Sequence, residues 1–453
     1  MSARCYEIDM TQGSILKNMI CFAIPLMLTN LLQQFYNAAD TIIVGRWAGY
    51  DALAAVGATS SLTNLLISLF IGISVGVSVL VSRNFGAGDT EGLKRTSHTA
   101  VALSFVCGLM SMIVGEFLCR PILGLLGTPR DIIDLSVLYM RIIFVGVPAQ
   151  LVYNFGAAIL RSVGDTKRPL YILSVTGIIN VAANLFLVIG FNMSVAGVAI
   201  ATAFAHYLSA FAVMYCLMYS DAPYRIDFAK LYIHKSEAKQ IISIGLPAGL
   251  QSSVFSISNV VIQSATNSFG TFVMAGRAAA SNIEAFVNTA MDSFQHATLT
   301  AVGQNYGARK EKRIYKTIGI GLICAITIGV VLSLLVYVFG EFLLGLYIVE
   351  SPQAIEAGMM YIVVCGLPFF VAGIMNVMTG ALRGLGYSKI PALSSLIGAC
   401  GVRLLWVAFV LPLNRTVWML FLCWPISWAV VVFMHITTFM IVRKKSMRKM
   451  YEM

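Results

Sequence analysis

The sequence predicts an all-α integral membrane protein with twelve transmembrane helices in two pseudo-symmetric six-helix bundles. Three observations predict this fold class: an apolar composition, a series of long apolar segments and an internal repeat. The 453-residue chain is 58% hydrophobic and 11% charged, whereas soluble domains carry roughly 25% charged residues. With a mean hydropathy of +0.83, the whole chain is expected to lie in lipid.

Apolar segments of membrane-spanning length account for the twelve helices. A spanning helix needs about 20 apolar residues, and several segments here are longer, which predicts tilt or extension beyond the bilayer. The predicted helices cover residues 17–44, 52–81, 94–119, 132–160, 169–190, 194–218, 239–268, 273–303, 314–339, 355–382, 390–412 and 416–442.

The basic residues predict the orientation of these helices. If the N-terminus is inside, the cytoplasmic loops and termini hold 24 Lys and Arg residues, and the outer loops hold four. This bias predicts a multi-pass protein of the cell membrane with both termini in the cytoplasm. The same bias explains the net charge of +11, so no nucleic-acid partner is expected.

An internal repeat divides the chain into two halves. Four pairs of motifs recur in the same order at offsets of 220 to 222 residues: AIPLML and GLPAGL, RNFGAG and QNYGAR, VGVP and CGLP, and LRSVGDTKRP and LRGLGYSKIP. Because each half has six helices, both halves begin in the cytoplasm, which predicts parallel repeats about an axis along the membrane normal. We expect an N-terminal lobe at 1–218, a cytoplasmic linker at 219–238 and a C-terminal lobe at 239–453.

Two lobes of this kind predict a solute path and transport by alternating access. A rigid scaffold and an intramembrane enzyme are the alternatives, but no HExxH, GxSxG or paired-Asp protease motif is present. The nine cysteines and five histidines are scattered, so no disulfide, metal site or cofactor is expected. The chain is expected to act as a monomer among membrane lipids.

Several motifs over essentially the whole chain resemble the MATE family, multidrug and toxic compound extrusion. They are NLLQQFYNAADTIIVGRWAG, SRNFGAGD, RSVGDTKRP and SVAGVAIAT in the first half, with GQNYGA and LRGLGYSKIP in the second. The resemblance implies a cation-coupled antiporter that exports organic cations or other small amphipathic compounds in exchange for H⁺ or Na⁺. A flippase for lipid-linked saccharides, from the same superfamily, is the alternative within transport.

Asp40 is the leading candidate for the coupling site. A carboxylate inside a membrane helix is costly and is therefore a functional candidate by default. At about 1.5 Å per residue, Asp40, Asn180, Asn184 and Thr202 fall in one layer of the N-terminal lobe. Asn180 and Asn184 share a helix face because they are four residues apart. A carboxyl group among amide and hydroxyl groups can bind H⁺, or Na⁺ through oxygen ligands, or can simply hold the lobe together.

The resemblance implies that the matching first-helix Asp forms the coupling site with polar residues of helices 5 and 6. Asn184 stands where many family members have a second Asp. One carboxylate in place of two favours H⁺ over Na⁺.

In the C-terminal lobe, Glu284 and Asp292 share a face of helix 8, and Arg403 falls near the depth of Glu284. These three residues are expected to pair or to line the substrate cavity; a purely structural ion pair is the alternative. The other candidates for the substrate cavity are polar residues in apolar helices: Gln34, Tyr36, Asn37 and Asn154. Because intramembrane acids are present and cations are few, cationic cargo is favoured over the pyrophosphate of a flippase substrate.

Overall fold

The computed structural model describes residues 6–125, 128–348 and 351–452, except for the side chains of 60–62, 64–66 and 256–257. Within these residues the chain is helical and contains no strand. The twelve long helices predicted from the sequence are all found. They are α1 (Ile15–Ile43), α2 (Tyr50–Ala87), α3 (Thr90–Leu125), α4 (Arg130–Ser162), α5 (Lys167–Leu185), α6 (Ser194–Met218), α7 (Lys235–Asn267), α8 (Thr271–Gly307), α9 (Glu311–Val338), α10 (Pro352–Gly384), α11 (Lys389–Leu413) and α12 (Val417–Glu452).

Eleven of these helices are long and apolar enough to cross a membrane. The exception among the described residues is α8, which is 37 residues long but carries Arg277, Glu284 and Asp292 along its length. The predicted multi-pass membrane architecture is confirmed. The polar character of α8 indicates that it serves more than hydrophobic packing, since charged groups inside a membrane are expensive.

Contacts within the chain divide it into two compact units. The first unit contains Leu28–Gly249 with the described residues up to Asp9, and the second contains Met10–Met27 with the described residues from Leu250 onward. The division passes through the middle of α1 and α7, whereas the sequence placed the lobe boundaries in the linker. The boundaries inferred from the repeat stay a prediction.

Each unit has its own apolar core. In the first unit, large side chains of α4 such as Phe144 and Phe155 are fully buried among residues of α2, α3 and α6. In the second, Met291 of α8 packs in one cluster with α10 and with Phe421 and Trp424 of α12. These cores fix the rotation of the helices and thereby decide which polar side chains meet inside each unit.

Close helix packing in the first unit depends on glycine. Gly72 and Gly76 of α2 lie against Gly245 and Gly249 of α7, and a Cβ atom at any of the four positions would overlap the backbone of the opposite helix. Small residues spaced four apart allow helices in membranes to approach closely. The cytoplasmic half of α7 is therefore bound to the first unit.

The segment between α6 and α7 is docked on the first unit. Tyr224 is fully buried, and its hydroxyl donates to Glu7 Oε1 at 2.8 Å. The backbone N–H groups of Asp227 and His234 donate to side chains of α3. The predicted linker thus has fixed contacts along its length.

Candidate ion and substrate site

Asp40, on α1, lies at the centre of a hydrogen-bonded cluster in the first unit. Asn184 of α5 donates through Nδ2 to Asp40 Oδ1 at 2.5 Å, and Thr202 of α6 donates through Oγ1 to Asp40 Oδ2 at 3.3 Å. Both carboxylate oxygens therefore accept hydrogen bonds from neutral side chains. Such bonds to a charged acceptor are each worth about 1.5–3 kcal/mol.

Asn180 completes this cluster. Its Nδ2 donates to Thr202 Oγ1 at 3.4 Å, and its Oδ1 accepts from Asn184 Nδ2, also at 3.4 Å. The structure thus brings together the four residues that the sequence placed in one layer. Their role in ion coupling stays a prediction.

Changes in helical winding lie immediately beyond the cluster. After Ile43, α1 continues as a π-helical turn through Ala48, and after Leu185, α5 continues as one through Gly190. π-Helical turns occur frequently at functional sites. Val44 and Val188 from these turns pack in a small apolar cluster with residues of α2 and α6, which covers one side of the polar group.

Asp40 also borders a cavity of about 240 Å³ in the first unit. Of the residues predicted to line a substrate cavity, Tyr36, Asn37 and Asn154 do so. Gln34 does not line it, whereas its neighbour Gln33 does. The cavity lining also includes Asn180 and Thr202, while the fully buried Asn184 lies behind Asp40.

Several residues of this cavity were missed from the sequence. They are Gln33, Thr63, Tyr139, Gln150, Tyr153, Thr176, His206 and Ser209. A signal for some of them was present, because His206 and Ser209 follow Thr202 by four and seven residues and so share its helix face. Gln150 and Asn154 have the same spacing on α4, where the Asn154 side chain donates to the Gln150 carbonyl at 2.8 Å.

Glu284 and Arg403 lie in the second unit, and they do not form the ion pair suggested by their similar depth. Among the described residues, the ion pairs within 4.0 Å do not include either of them. Arg403 donates instead through Nε to Ser427 Oγ at 2.9 Å, and its guanidinium lies over the ring of Trp424 at 5.8 Å. Glu284 hydrogen-bonds with the hydroxyl of Tyr361.

Asp292, two turns further along α8, has different neighbours. Its Oδ2 lies 3.8 Å from Nε2 of His296. Neither Asp292, Glu284 nor Arg403 lines the 240 Å³ cavity of the first unit. The predicted substrate residues therefore fall into two separate groups, one in each unit.

The donor set around Asp40 is poor for a metal ion. No group of three or more His, Cys, Asp and Glu side chains in the described part of the chain is placed to hold a metal. Of the charged residue types, only Asp40 lines the cavity. The eight described cysteines are all free thiols.

Comparison with known proteins identifies relatives of the chain. The MatE family model matches residues 25–186 and again residues 247–408. Because the second match begins 222 residues after the first, the internal duplication is confirmed. A "Probable multidrug resistance protein YoeA" of Bacillus subtilis is 29% identical over 408 residues, which are 88% of each chain.

Other relatives are more distant. The "Multidrug export protein MepA" of Staphylococcus saprophyticus is 22% identical over 88% of both chains. An "FAD transporter" of Shewanella oneidensis is 26% identical over 87% of this chain and 86% of its own. The solved outward-facing structure of a multidrug resistance MATE family transporter of the MOP superfamily has a TM-score of 0.85 at 21% identity, covering 98% of each chain. At this identity the structural likeness establishes the fold.

Proposed function

This chain belongs to the MatE family, and we propose on that basis that it exports organic cations and drugs by alternating access, in exchange for H⁺. Membership makes it a membrane transporter rather than an enzyme. Relatives named for multidrug resistance or multidrug export support drugs as cargo and export as the direction.

The observation that carries this proposal is the position of Asp40. Its carboxyl group faces a cavity lined by Tyr36, Tyr139 and Tyr153, and no Lys or Arg lines that cavity among the described residues. A carboxylate with aromatic neighbours suits an organic cation, since the carboxylate attracts the charge and the ring faces stabilise it further.

Exchange follows if the cation and the proton compete for Asp40. A protonated Asp40 has no charge with which to hold a cation, and a bound cation favours the ionised form. Cargo therefore binds when the proton leaves, and the proton displaces the cargo when it returns. In this scheme Asn184 and Thr202 stabilise the ionised state, because both donate hydrogen bonds to the carboxylate.

The arrangement of donors favours H⁺ over Na⁺ as the coupling ion. A Na⁺ site needs several oxygen atoms directed at the ion, since hard cations take oxygen ligands. Here Asn184 directs its NH₂ group and Thr202 its hydroxyl hydrogen at Asp40. A proton needs only the carboxylate itself.

The flippase alternative receives no support from the cavity. A pyrophosphate would require cationic side chains, which bind phosphate groups, whereas the charged side chain at this cavity in the described residues is a carboxylate.

The test is efflux of a cationic dye from proteoliposomes under an imposed ΔpH, with a Na⁺ gradient in a parallel arm. Asp40→Asn keeps the size of the side chain and removes the titratable group, so ΔpH-driven efflux should be abolished. Asp51→Asn is the control, because Asp51 is an exposed acid in the first turn of α2. Unaltered ΔpH-driven efflux in Asp40→Asn would sink the coupling assignment, and efflux driven by Na⁺ alone would overturn the choice of H⁺.

A further inference from the structure

A second polar site lies in the second unit, away from Asp40. A cavity of about 10 Å³ lies between α8, α9 and α10. Glu284 of α8 and Ser333 of α9 both line it, and Glu284 Oε2 and Ser333 Oγ are enclosed atoms without a hydrogen-bond partner among the described residues. Buried polar atoms are almost always partnered. Two such atoms on one cavity therefore call for an explanation.

The third wall of this cavity is an irregular part of α10. Residues Ile362–Gly366 form a π-helical turn, and Leu367–Phe369 form a 3₁₀ turn that contains Pro368. Ile362, Gly366 and Phe369 from this stretch all line the cavity. Proline removes one backbone donor, and breaks of this kind recur at functional sites. The cavity thus adjoins the least regular part of the helix.

The groups that face Glu284 are balanced between stabilising its ionised and its neutral form. On α10 the hydroxyl of Tyr361 hydrogen-bonds with its carboxyl group, and the Cys365 thiol lies nearby. On α8 itself and on α11, the guanidinium groups of Arg277 and Arg403 act on its charge. Neither forms an ion pair with it within 4.0 Å.

Both guanidinium groups have other partners. Arg277 hydrogen-bonds with Gln263 of α7 and lies over the ring of Trp424 at 5.1 Å. Arg403 is bound to Ser427 and lies over the same ring. They can therefore soften the cost of an ionised Glu284 at a distance, but they do not neutralise it by contact.

We propose that Glu284 is a proton-binding group of the second unit, independent of Asp40. A protonated carboxyl group is both a donor and an acceptor. Its O–H can donate into the cavity shared with Ser333, while the other oxygen keeps the hydrogen bond with Tyr361. When the proton leaves, the carboxylate retains the Tyr361 bond under the field of the two guanidinium groups. Both protonation states are thus accommodated without a change of fold.

A metal cation fits this site less well than a proton. The lining offers one carboxylate and two hydroxyl groups, fewer oxygen ligands than hard cations take. The two guanidinium groups would also repel a metal ion. The cavity itself has roughly the volume that one water molecule needs, which suits a proton delivered to a carboxyl oxygen.

Infrared difference spectroscopy tests the proposal directly and does not depend on transport. Spectra of the purified protein are recorded between acidic and alkaline pH, and the C=O stretch of protonated carboxyl groups is followed in H₂O and D₂O. The difference between Asp40→Asn and the double variant Asp40→Asn/Glu284→Gln isolates Glu284, because every other carboxyl group cancels. We expect one titrating carboxyl band in this difference, and uptake of about one proton fewer per chain in the double variant.

A second variant tests the geometry while leaving the carboxyl group in place. Ser333→Ala removes the unpartnered hydroxyl, so the Glu284 band should remain but move in frequency. This variant also serves if Glu284→Gln does not fold. Identical spectra for the single and double variants, or a Glu284 band unmoved by Ser333→Ala, would overturn the proposal. Neither result would affect the assignment of Asp40, whose own test is dye efflux.

Discussion

The buried carboxyl group of Asp165 should make the stability of the protein depend on pH. Asp165 precedes α5 in the cytoplasmic loop after α4, and its side chain is 0% exposed. It accepts from the backbone N–H of Arg168 at 3.0 Å and lies 3.1 Å from Arg168 Nε. Burial outweighs these favourable contacts and raises the pKa of Asp165 from its ordinary 3.8 to about 6.

The sign of the effect follows from proton binding. Between about pH 4 and pH 6 the folded chain holds a proton on Asp165 that the unfolded chain releases, so the free energy of unfolding falls as the pH rises. This stabilising contribution is fully present below the ordinary pKa of 3.8 and is lost as the pH passes through about 6. At 1.36 kcal/mol per pKa unit, the total is on the order of 3 kcal/mol.

Asp165→Asn should remove this dependence, because asparagine keeps the Oδ1 atom that accepts from Arg168 but does not titrate. The assay is the free energy of unfolding in mixed micelles, measured for wild type and variant from about pH 4 to about pH 7.5. The difference between them should shift in favour of the variant by about 3 kcal/mol as the pH rises. The control is Asp221→Asn, an exposed acid of the linker. A difference for Asp165→Asn as flat as that of the control would refute the reasoning.

Two further predictions concern packing and the Asp40 site. Gly76→Val should destabilise the protein by about 1–3 kcal/mol through overpacking against α7, whereas Gly57→Ala, in open space on the same helix, should be neutral or stabilising by up to about 1 kcal/mol; equal thermal stability of the two variants would contradict this. Asn184→Ala should slow ΔpH-driven efflux by roughly tenfold or more, because a hydrogen bond to Asp40 of about 1.5–3 kcal/mol is lost. Asn180→Ala should have a smaller effect, since Asn180 has no printed bond to the carboxylate, and the reverse order of effects would argue against the site.

The depth of a residue in the membrane could be predicted from the sequence, but its direction could not. Counting the helical rise from the helix ends placed Asp40, Asn184 and Thr202 at one level, and the structure joins them by hydrogen bonds. The same count placed Glu284 beside Arg403, and no ion pair is formed between them. Depth depends only on the rise per residue, whereas direction depends on how each helix is rotated by its packing in the core.

The break in α10 was also beyond reach of the sequence. Pro25, Pro148 and Pro247 lie inside continuous α-helix, whereas Pro368 lies in a 3₁₀ turn that follows a π-helical turn. Proline removes a backbone hydrogen bond wherever it occurs in a helix. Whether the helix then changes its winding depends on neighbouring side chains, which the sequence alone does not place.

The duplication preserved the fold of the two halves while their polar groups diverged. At the repeat offset of 222 residues, the positions of Asp40, Asn180, Asn184 and Thr202 correspond in the second half to Ile262, Val402, Trp406 and Trp424. Ile262 is fully buried in the apolar core of the second unit, which also includes Trp424.

The second half thus fills with apolar and aromatic side chains the layer in which the first half has its polar cluster. Its own membrane acid, Glu284, lies on α8 and corresponds to Leu62 in the first half. Each half therefore carries a carboxyl group that its repeat partner lacks. A proton bound at one of them cannot be exchanged for the other by the symmetry of the fold. If both bind protons, removing one by Asp40→Asn or Glu284→Gln should leave the titration of the other in place.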